Sequence, residues 1–131
     1  MPAPKQQNIT LEELNQKIWT HLEERDWHTN PSRGLAISVA LEANELLEHY
    51  QWGDEPVGGT QEVGEELADI LIYSMQIAQQ NNIDIADAIN KKLEKAAKKY
   101  PASDFKGKGK DERRANWMKN KMAHKKTGSG L

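Results

Sequence analysis

The segments LAISVALEANELLEHY (residues 35–50) and EVGEELADILIYSMQIA (residues 62–78) decide the fold of this chain. In each segment, apolar residues recur at the three- and four-residue spacing of a helix that buries one face. Each segment also carries two carboxylates in a stripe beside its apolar arc, namely Glu42 and Glu45 in the first and Glu66 and Asp69 in the second. The pattern predicts two amphipathic helices whose acidic edges border a core.

The spacing of these carboxylates indicates a metal site. Residues three apart on a helix point in nearly the same direction, so two packed helices can bring four carboxylates to one point. Carboxylates beside a core repel one another and lose solvation, which raises their pKa unless a cation compensates. Mg²⁺ prefers such oxygen ligands and shares them with substrate phosphates. The alternative is that both pairs decorate ordinary solvated helix faces.

The remaining segments are also helical in pattern, and no stretch alternates as a β-strand does. We therefore expect an all-α fold of four helices. They are predicted to end near Arg25, Tyr50, Gln80 and Lys99, the last one before the helix-stopping pair Tyr100-Pro101. Their expected caps are Thr10, then Asn30 or Ser32 beside Pro31, and Thr60.

At 131 residues the chain has the size of one domain, near the length at which oligomerisation helps stability. We expect a helical domain at residues 1–101 and a basic tail at residues 102–131. Glycines in the tail predict flexibility, including at residues 127–131, with a short helix around residues 112–122. The other possibility for the tail is packing on a partner subunit.

Charge and composition exclude several classes of function. Residues 106–126 contain nine Lys or Arg and two acids, which gives this segment a charge of about +7. Since the whole chain has a net charge of −2, the remaining residues carry about −9. An acidic body disfavours nucleic acid as a partner. No apolar run approaches the ~18 residues of a membrane helix, and residues 1–5 lack the apolar stretch of a signal peptide. Without cysteine there is no disulfide or thiolate site, and we expect a cytoplasmic protein.

Several short motifs resemble those of a known family. They are Glu24-Arg25-Asp26-Trp27, Arg33-Gly34-Leu35, Glu42-x-x-Glu45 followed by Gln51-Trp52, the run from Glu65 to Tyr73, and Tyr100-Pro101. Over residues 11–101 the chain resembles the all-α nucleoside triphosphate pyrophosphohydrolases, and among them the MazG-like branch close to the dCTP pyrophosphatases. This resemblance implies a MazG-like four-helix bundle that assembles as a homodimer or homotetramer.

The resemblance also implies an activity of the house-cleaning type. This activity is Mg²⁺-dependent hydrolysis of a (deoxy)nucleoside triphosphate, such as dCTP or a modified cytidine nucleotide, to the monophosphate and pyrophosphate. The family's catalytic metal ligands match Glu42, Glu45, Glu66 and Asp69 here. Two alternatives stay open. One is a non-catalytic helical scaffold, and the other is a related pyrophosphohydrolase that acts on dUTP or phosphoribosyl-ATP.

Aromatic side chains are the candidates for base recognition. Trp27 and Trp52 match aromatic positions that line the base pocket in relatives, and stacking contributes ~1–3 kcal/mol per base. A tryptophan in a loop can instead plug a core or anchor an interface. Tyr73, one turn after Asp69, is expected either to contact substrate or to pack between helices.

Cationic side chains would neutralise a triphosphate beyond the metal. Lys92 matches a lysine of the family, and Lys99 stands where relatives carry an arginine, although lysines on this helix also suit a solvated face. Arg33 suits a phosphate or a neighbouring carboxylate. The four histidines form no ligand cluster. Of these, His28 and His49 lie near the proposed site, and surface exposure is the favoured interpretation for both.

Overall fold

The computed structural model describes residues 8–126, and all regular structure in that range is helical, as predicted. The helices are α1 (Leu11–Glu23), α2 (Ser32–Glu48), α3 (Gly59–Gln80), α4 (Ile85–Lys99) and α5 (Lys110–Lys126), with a 3₁₀ turn at Ala102–Asp104. Among the described residues, no helix is both long and apolar enough to cross a membrane. The predicted flexible segment at residues 127–131 and the N-terminal residues 1–7 lie outside the described range.

One of the expected caps is confirmed, and two were placed wrongly. The hydroxyl of Thr10 accepts a hydrogen bond from the Glu13 N–H at 3.1 Å and caps α1. Pro31 occupies the cap position of α2, which has no side-chain cap bond. The α3 helix starts at Gly59, so Thr60 is already helical. Gly59 has φ of +78°, a left-handed conformation that glycine adopts without strain. The helix therefore begins one residue before the predicted cap, Thr60.

The chain divides into two compact units between Ile85 and Ala86. In the first unit, α2 packs along α3, and α1 also contacts α3. Ile18 and Leu22 of α1 meet Met75 of α3 in a small buried cluster. Helix α3 therefore contacts both of the other helices, α1 and α2, in this unit.

The helix predicted around residues 112–122 is confirmed as α5, which is longer than expected at 17 residues. The expectation of flexibility is therefore corrected for residues 110–126 of the tail. Helix α5 is fastened to the segment that follows α4. Asn116 donates a hydrogen bond to the backbone carbonyl of Asp104 at 2.8 Å, and Asn120 donates to the Asp104 carboxylate at 2.9 Å. Arg113 Nε donates to the carbonyl of Phe105 at 3.0 Å. The glycines in this region do not prevent helix formation, because Gly107 and Gly109 precede the helix. The domain boundary at residue 101 stays a prediction.

Candidate metal centre

The loop between α2 and α3 brings the end of one helix beside the start of the other. The Val57 N–H donates to the His49 carbonyl at 2.8 Å, and the Gly58 N–H donates to His49 Nδ1 at 3.3 Å. A side chain at Gly58 would collide with the Glu62 carboxylate and the His49 ring. The absence of a side chain at this position therefore allows the two helix ends to approach closely.

Three of the four predicted ligands converge. Glu42, Glu45 and Glu66 each offer a carboxylate oxygen, and these oxygens lie within 4.8 Å of one another. Asp69, one turn after Glu66, lies outside this group, although its charge acts on Glu42. The described structure therefore assembles a three-carboxylate cluster from α2 and α3, with the fourth acid close by.

The electrostatics of the cluster centre on Glu42, which is half-buried. A hydrogen bond with the Glu45 carboxyl, loss of solvent, and the charges of Glu45, Asp69 and Glu66 raise the pKa of Glu42 from 4.5 to about 7. Its Oε2 atom is buried and has no hydrogen-bond partner. Such an atom is destabilising unless something compensates for its lost solvation.

A divalent cation fits this cluster. The donors are all carboxylate oxygens, the type that Mg²⁺ and similar hard cations bind. No Lys or Arg in the described part of the chain forms an ion pair with these glutamates. The orphaned Glu42 oxygen and the mutual repulsion would both be relieved by a bound cation. Glu42, Glu45 and Glu66 are the residues that would hold it, with Asp69 within electrostatic reach.

His49 was expected to be exposed, and the structure corrects this. It is half-buried, and its Nε2 lies 3.6 Å from Glu66 Oε1. Because Nδ1 accepts from the Gly58 N–H, the neutral ring carries its hydrogen on Nε2, facing Glu66. The signal in the sequence was the four-residue spacing from Glu45, which places His49 on the acidic stripe.

An open cleft of about 290 Å³ adjoins the cluster. Its lining is mostly acidic and consists of Glu45, Glu48, His49, Val57, Gly58, Glu62 and Glu66. The volume is at the lower end of the range of small-molecule sites, ~300–1,000 Å³. An anion would enter such an acidic cleft only together with a cation.

Both candidate tryptophans are exposed, so neither plugs a core. Trp52, in the loop after α2, is 83% exposed, and Trp27, in the loop after α1, is 52% exposed. The Trp27 ring meets the edge of His21 at 6.2 Å between centroids, and the Arg25 guanidinium lies 6.0 Å from its centre. An aromatic surface is therefore available at both positions.

The other predicted substrate residues are scattered. Tyr73 is half-buried on α3, and Arg33 is exposed at the start of α2 and forms no ion pair within the described chain. Lys92 and Lys99 belong to the second unit. Lys92 is exposed, whereas Lys99 is only 2% exposed, and its ammonium lies 5.4 Å from the centre of the Tyr100 ring. Lys99 therefore does not belong to a solvated face.

Comparison with known proteins agrees with this fold. The chain matches the MazG-like family over residues 37–113, a range that contains both carboxylate pairs. This protein belongs to the MazG-like family.

Individual relatives show which known proteins this chain is similar to. The chain is 30% identical to dCTP pyrophosphatase 1 of Mus musculus over 101 residues, and 31% identical to that of Bos taurus. Each match covers 70% of this chain, and the chain spans only about 60% of the length of these relatives. A solved pyrophosphatase from Archaeoglobus fulgidus has 31% identity and a TM-score of 0.61, covering 76% of this chain and 99% of that one.

Proposed function

We propose that this protein hydrolyses nucleoside triphosphates to the monophosphate and pyrophosphate in the presence of Mg²⁺. The observation that carries the proposal is the cluster of Glu42, Glu45 and Glu66, with its unpaired buried oxygen, beside a cleft in a MazG-like chain. Membership of the family and similarity to the three named pyrophosphatases support the reaction type.

In the proposed mechanism, Glu42, Glu45, Glu66 and Asp69 hold the cation. When bound, the cation polarises phosphate oxygens and makes water a better nucleophile. The water oxygen would form a bond to the α phosphorus, the bond from that phosphorus to the bridging oxygen of the departing pyrophosphate would break, and the proton lost by the water would pass to solvent. His49 keeps the Glu66 carboxylate facing the cluster. Because the cleft is acidic, a triphosphate would enter it as a complex with the cation.

For the substrate we propose a deoxynucleotide, dCTP or a modified cytidine nucleotide. The relatives named dCTP pyrophosphatase 1 and the exposed rings of Trp27 and Trp52 support this choice. Flat aromatic surfaces stack on any base. Arg33, Tyr73, Lys92 and Lys99 are the further candidates for substrate contacts.

We also propose a homodimer or homotetramer, in the cytoplasm. Large apolar side chains on α2 and α3 are exposed, with values of 63% for Leu47, 60% for Leu41 and 59% for Leu71. Apolar surface of this kind is typical of an interface. Light scattering coupled to gel filtration measures the assembly directly, and a monomer at micromolar concentration would contradict it.

A substrate panel tests the activity. The purified full chain is incubated with Mg²⁺ and canonical dNTPs and NTPs, 5-modified dCTP, dUTP and phosphoribosyl-ATP, and monophosphate and pyrophosphate are quantified separately. We expect equal amounts of both products, with dCTP or its modified form turned over fastest. Fastest turnover of dUTP or phosphoribosyl-ATP would assign the related activities instead. No pyrophosphate from any substrate would leave the helical scaffold as the better explanation.

A further inference from the structure

Three glutamines at the end of α3 use their amide groups to hold other parts of the first unit. Gln79 reaches α1, where its Nε2 donates to the Asn15 carbonyl at 2.8 Å and to Asn15 Oδ1 at 2.7 Å. Gln76 and Gln80 reach the loop between α1 and α2 instead. This loop, residues 24–31, carries Trp27.

The bonds to the loop go to its backbone. Gln76 Nε2 donates to the Trp27 carbonyl at 2.8 Å. Gln80 Nε2 donates to the carbonyl of His28 at 3.2 Å and also to the carbonyl of Asn30. These hydrogen bonds hold the loop through its backbone carbonyls and do not depend on the side chains of the loop. The position of Trp27 is therefore set by α3.

Burial makes the bond from Gln76 the most constraining of these. Gln76 is 1% exposed, the least accessible side chain in the described chain, and water has little room to replace its amide. The loop has one left-handed residue, Asp26, with φ of 56°. The Trp27 N–H is also bonded, to the Leu22 carbonyl at 2.9 Å. Both backbone groups of Trp27 are therefore anchored while its ring stays half exposed.

The same helix carries two of the four acids proposed to bind the metal, Glu66 and Asp69. Gln76 follows Asp69 by seven residues, which is two helical turns and ~10 Å along the axis. A continuous helix is a rigid spacer, so the distance from the carboxylate cluster to the Trp27 carbonyl is determined by α3. We infer that Gln76 is a positioning residue, which holds Trp27 at a defined place relative to the carboxylates and thereby contributes to base selection. This inference rests on the proposed function.

An isosteric change isolates the role of the amide. Gln76→Glu keeps the shape of the side chain but replaces the donor with a carboxylate that repels the Trp27 carbonyl. Gln79→Glu is the matched control, because the residue type, the helix and the kind of change are the same, and its partner Asn15 lies outside the loop. Gln80→Ala is a second loop variant at a less buried position, for use if Gln76→Glu does not fold.

The first measurement does not depend on activity. Hydrogen exchange of the amides of residues 24–31 is followed by mass spectrometry in wild type and variants. We expect exchange in this segment to be at least about tenfold faster in Gln76→Glu, and also faster in Gln80→Ala. The reason is that loss of a hydrogen bond to the loop lowers the free energy needed to open the loop locally. In Gln79→Glu the acceleration should be confined to α1. Unchanged exchange of residues 24–31 in both loop variants would overturn the positioning role.

The second measurement is steady-state kinetics with the preferred triphosphate and with triphosphates of other bases. We expect Gln76→Glu to raise KM for the preferred base about five- to tenfold and to reduce discrimination, with kcat within about twofold, since stacking depends on ring placement while the acids are unmoved. If exchange of the loop accelerates but KM and base preference stay unchanged, the contribution to base selection is refuted. A wild-type protein without hydrolysis would contradict the proposed function, while the exchange experiment would still decide whether Gln76 positions the loop.

Discussion

The two halves of α3 use polar side chains in opposite ways. In the first half, Glu66 and Asp69 add negative charge to Glu42 and Glu45 across from them, and one buried oxygen of Glu42 has no partner. In the second half, the side-chain nitrogens of Gln76, Gln79 and Gln80 all donate hydrogen bonds. The difference separates a region prepared for a ligand from a region that stabilises the fold.

Physical chemistry explains why this contrast points to function. An amide donor that is satisfied contributes about 0.5–1.5 kcal/mol, and Gln79 Oε1, which is buried without a partner, carries no charge that a counter-ion would have to neutralise. Clustered carboxylates destabilise the protein until a proton or a metal neutralises them. A cluster of charges that the protein itself does not neutralise therefore indicates a place where a ligand binds. The tests below change the acids, Trp52 or a glutamine of the second half of α3, beginning with the largest expected effect.

Removing one of the four predicted metal-binding acids should abolish activity without harming the fold. For Glu45→Ala and for Asp69→Ala we expect kcat to fall by at least about 10²-fold, since even changes beyond the direct metal ligands cost 10–100-fold. The melting temperature in EDTA should stay the same or rise, because repulsion of Glu42 is relieved. The control is Glu12→Ala, an exposed acid in the first turn of α1. Full activity in both variants would refute the metal-site assignment.

Truncating Trp52 should impair binding but leave stability unchanged, because its ring is 83% exposed. We expect Trp52→Ala to raise KM for the preferred base about tenfold, the range expected for loss of one stacking contact. Trp117→Ala on α5 is the matched control. Equal losses for all bases in initial rates, together with a lower melting temperature or a changed assembly, would indicate that Trp52 supports structure or assembly instead.

Protonation of Glu42 should make metal binding depend on pH. Its pKa of about 7 lies above the ordinary 4.5, so without metal the folded state holds this proton more tightly than the unfolded chain. This group's contribution to stability is therefore greatest below about pH 4.5 and is lost as pH rises through about 7.

A cation must displace the same proton, so Mg²⁺ affinity should rise about tenfold between pH 6 and pH 8. Thermal-shift titrations with Mg²⁺ at constant ionic strength measure this change. In EDTA, the wild-type protein should become less stable between about pH 4.5 and pH 7 because of Glu42, and the Glu42→Gln variant should not show this contribution. An affinity independent of pH would show that Glu42 does not release a proton on binding.

Removing the Gln79 contact from the second half should affect stability alone, because its partner Asn15 lies outside the loop that carries Trp27. Gln79→Leu removes the donor to two oxygens of Asn15 and should lower the free energy of unfolding by about 1–3 kcal/mol. Turnover per folded molecule should be unchanged, which urea unfolding and kinetics on the same sample can establish. Gln61→Leu, an exposed glutamine in the first turn of α3, should be within about 0.5 kcal/mol of wild type. A loss of kcat in Gln79→Leu would mean that the two halves are not separable.

Much of the helical architecture could be predicted from the chain. Apolar periodicity and the capping box of Thr10 with Glu13 depend on contacts between residues three or four apart, which the sequence contains in full. The helix predicted around residues 112–122 is present, but its length was underestimated. The bonds that hold α5 run from Asn116 and Asn120 to Asp104, and composition alone does not reveal partners 12 and 16 residues away. Thr60 was a plausible cap, but the backbone at Gly59 had already entered the helix.

The candidate site was predicted less completely. Spacing placed the acids on matching stripes, yet it did not indicate that Asp69 would stay outside the closest group. His49 was predicted to lie near the site but to be exposed, because its contact with Glu66 depends on how the loop closes at Gly58.

The sequence by itself determined the helical periods, the two acidic stripes beside the apolar arcs and the charge imbalance along the chain, since these follow from spacing and composition. Only the tertiary structure decided which three carboxylates meet, why Glu42 holds its proton to about pH 7, and that Gln76 anchors Trp27 from a position 49 residues later. The physical reason is that convergence, desolvation and long-range hydrogen bonds arise only when helices pack. Packing depends on how the loops close as much as on the faces that the helices present.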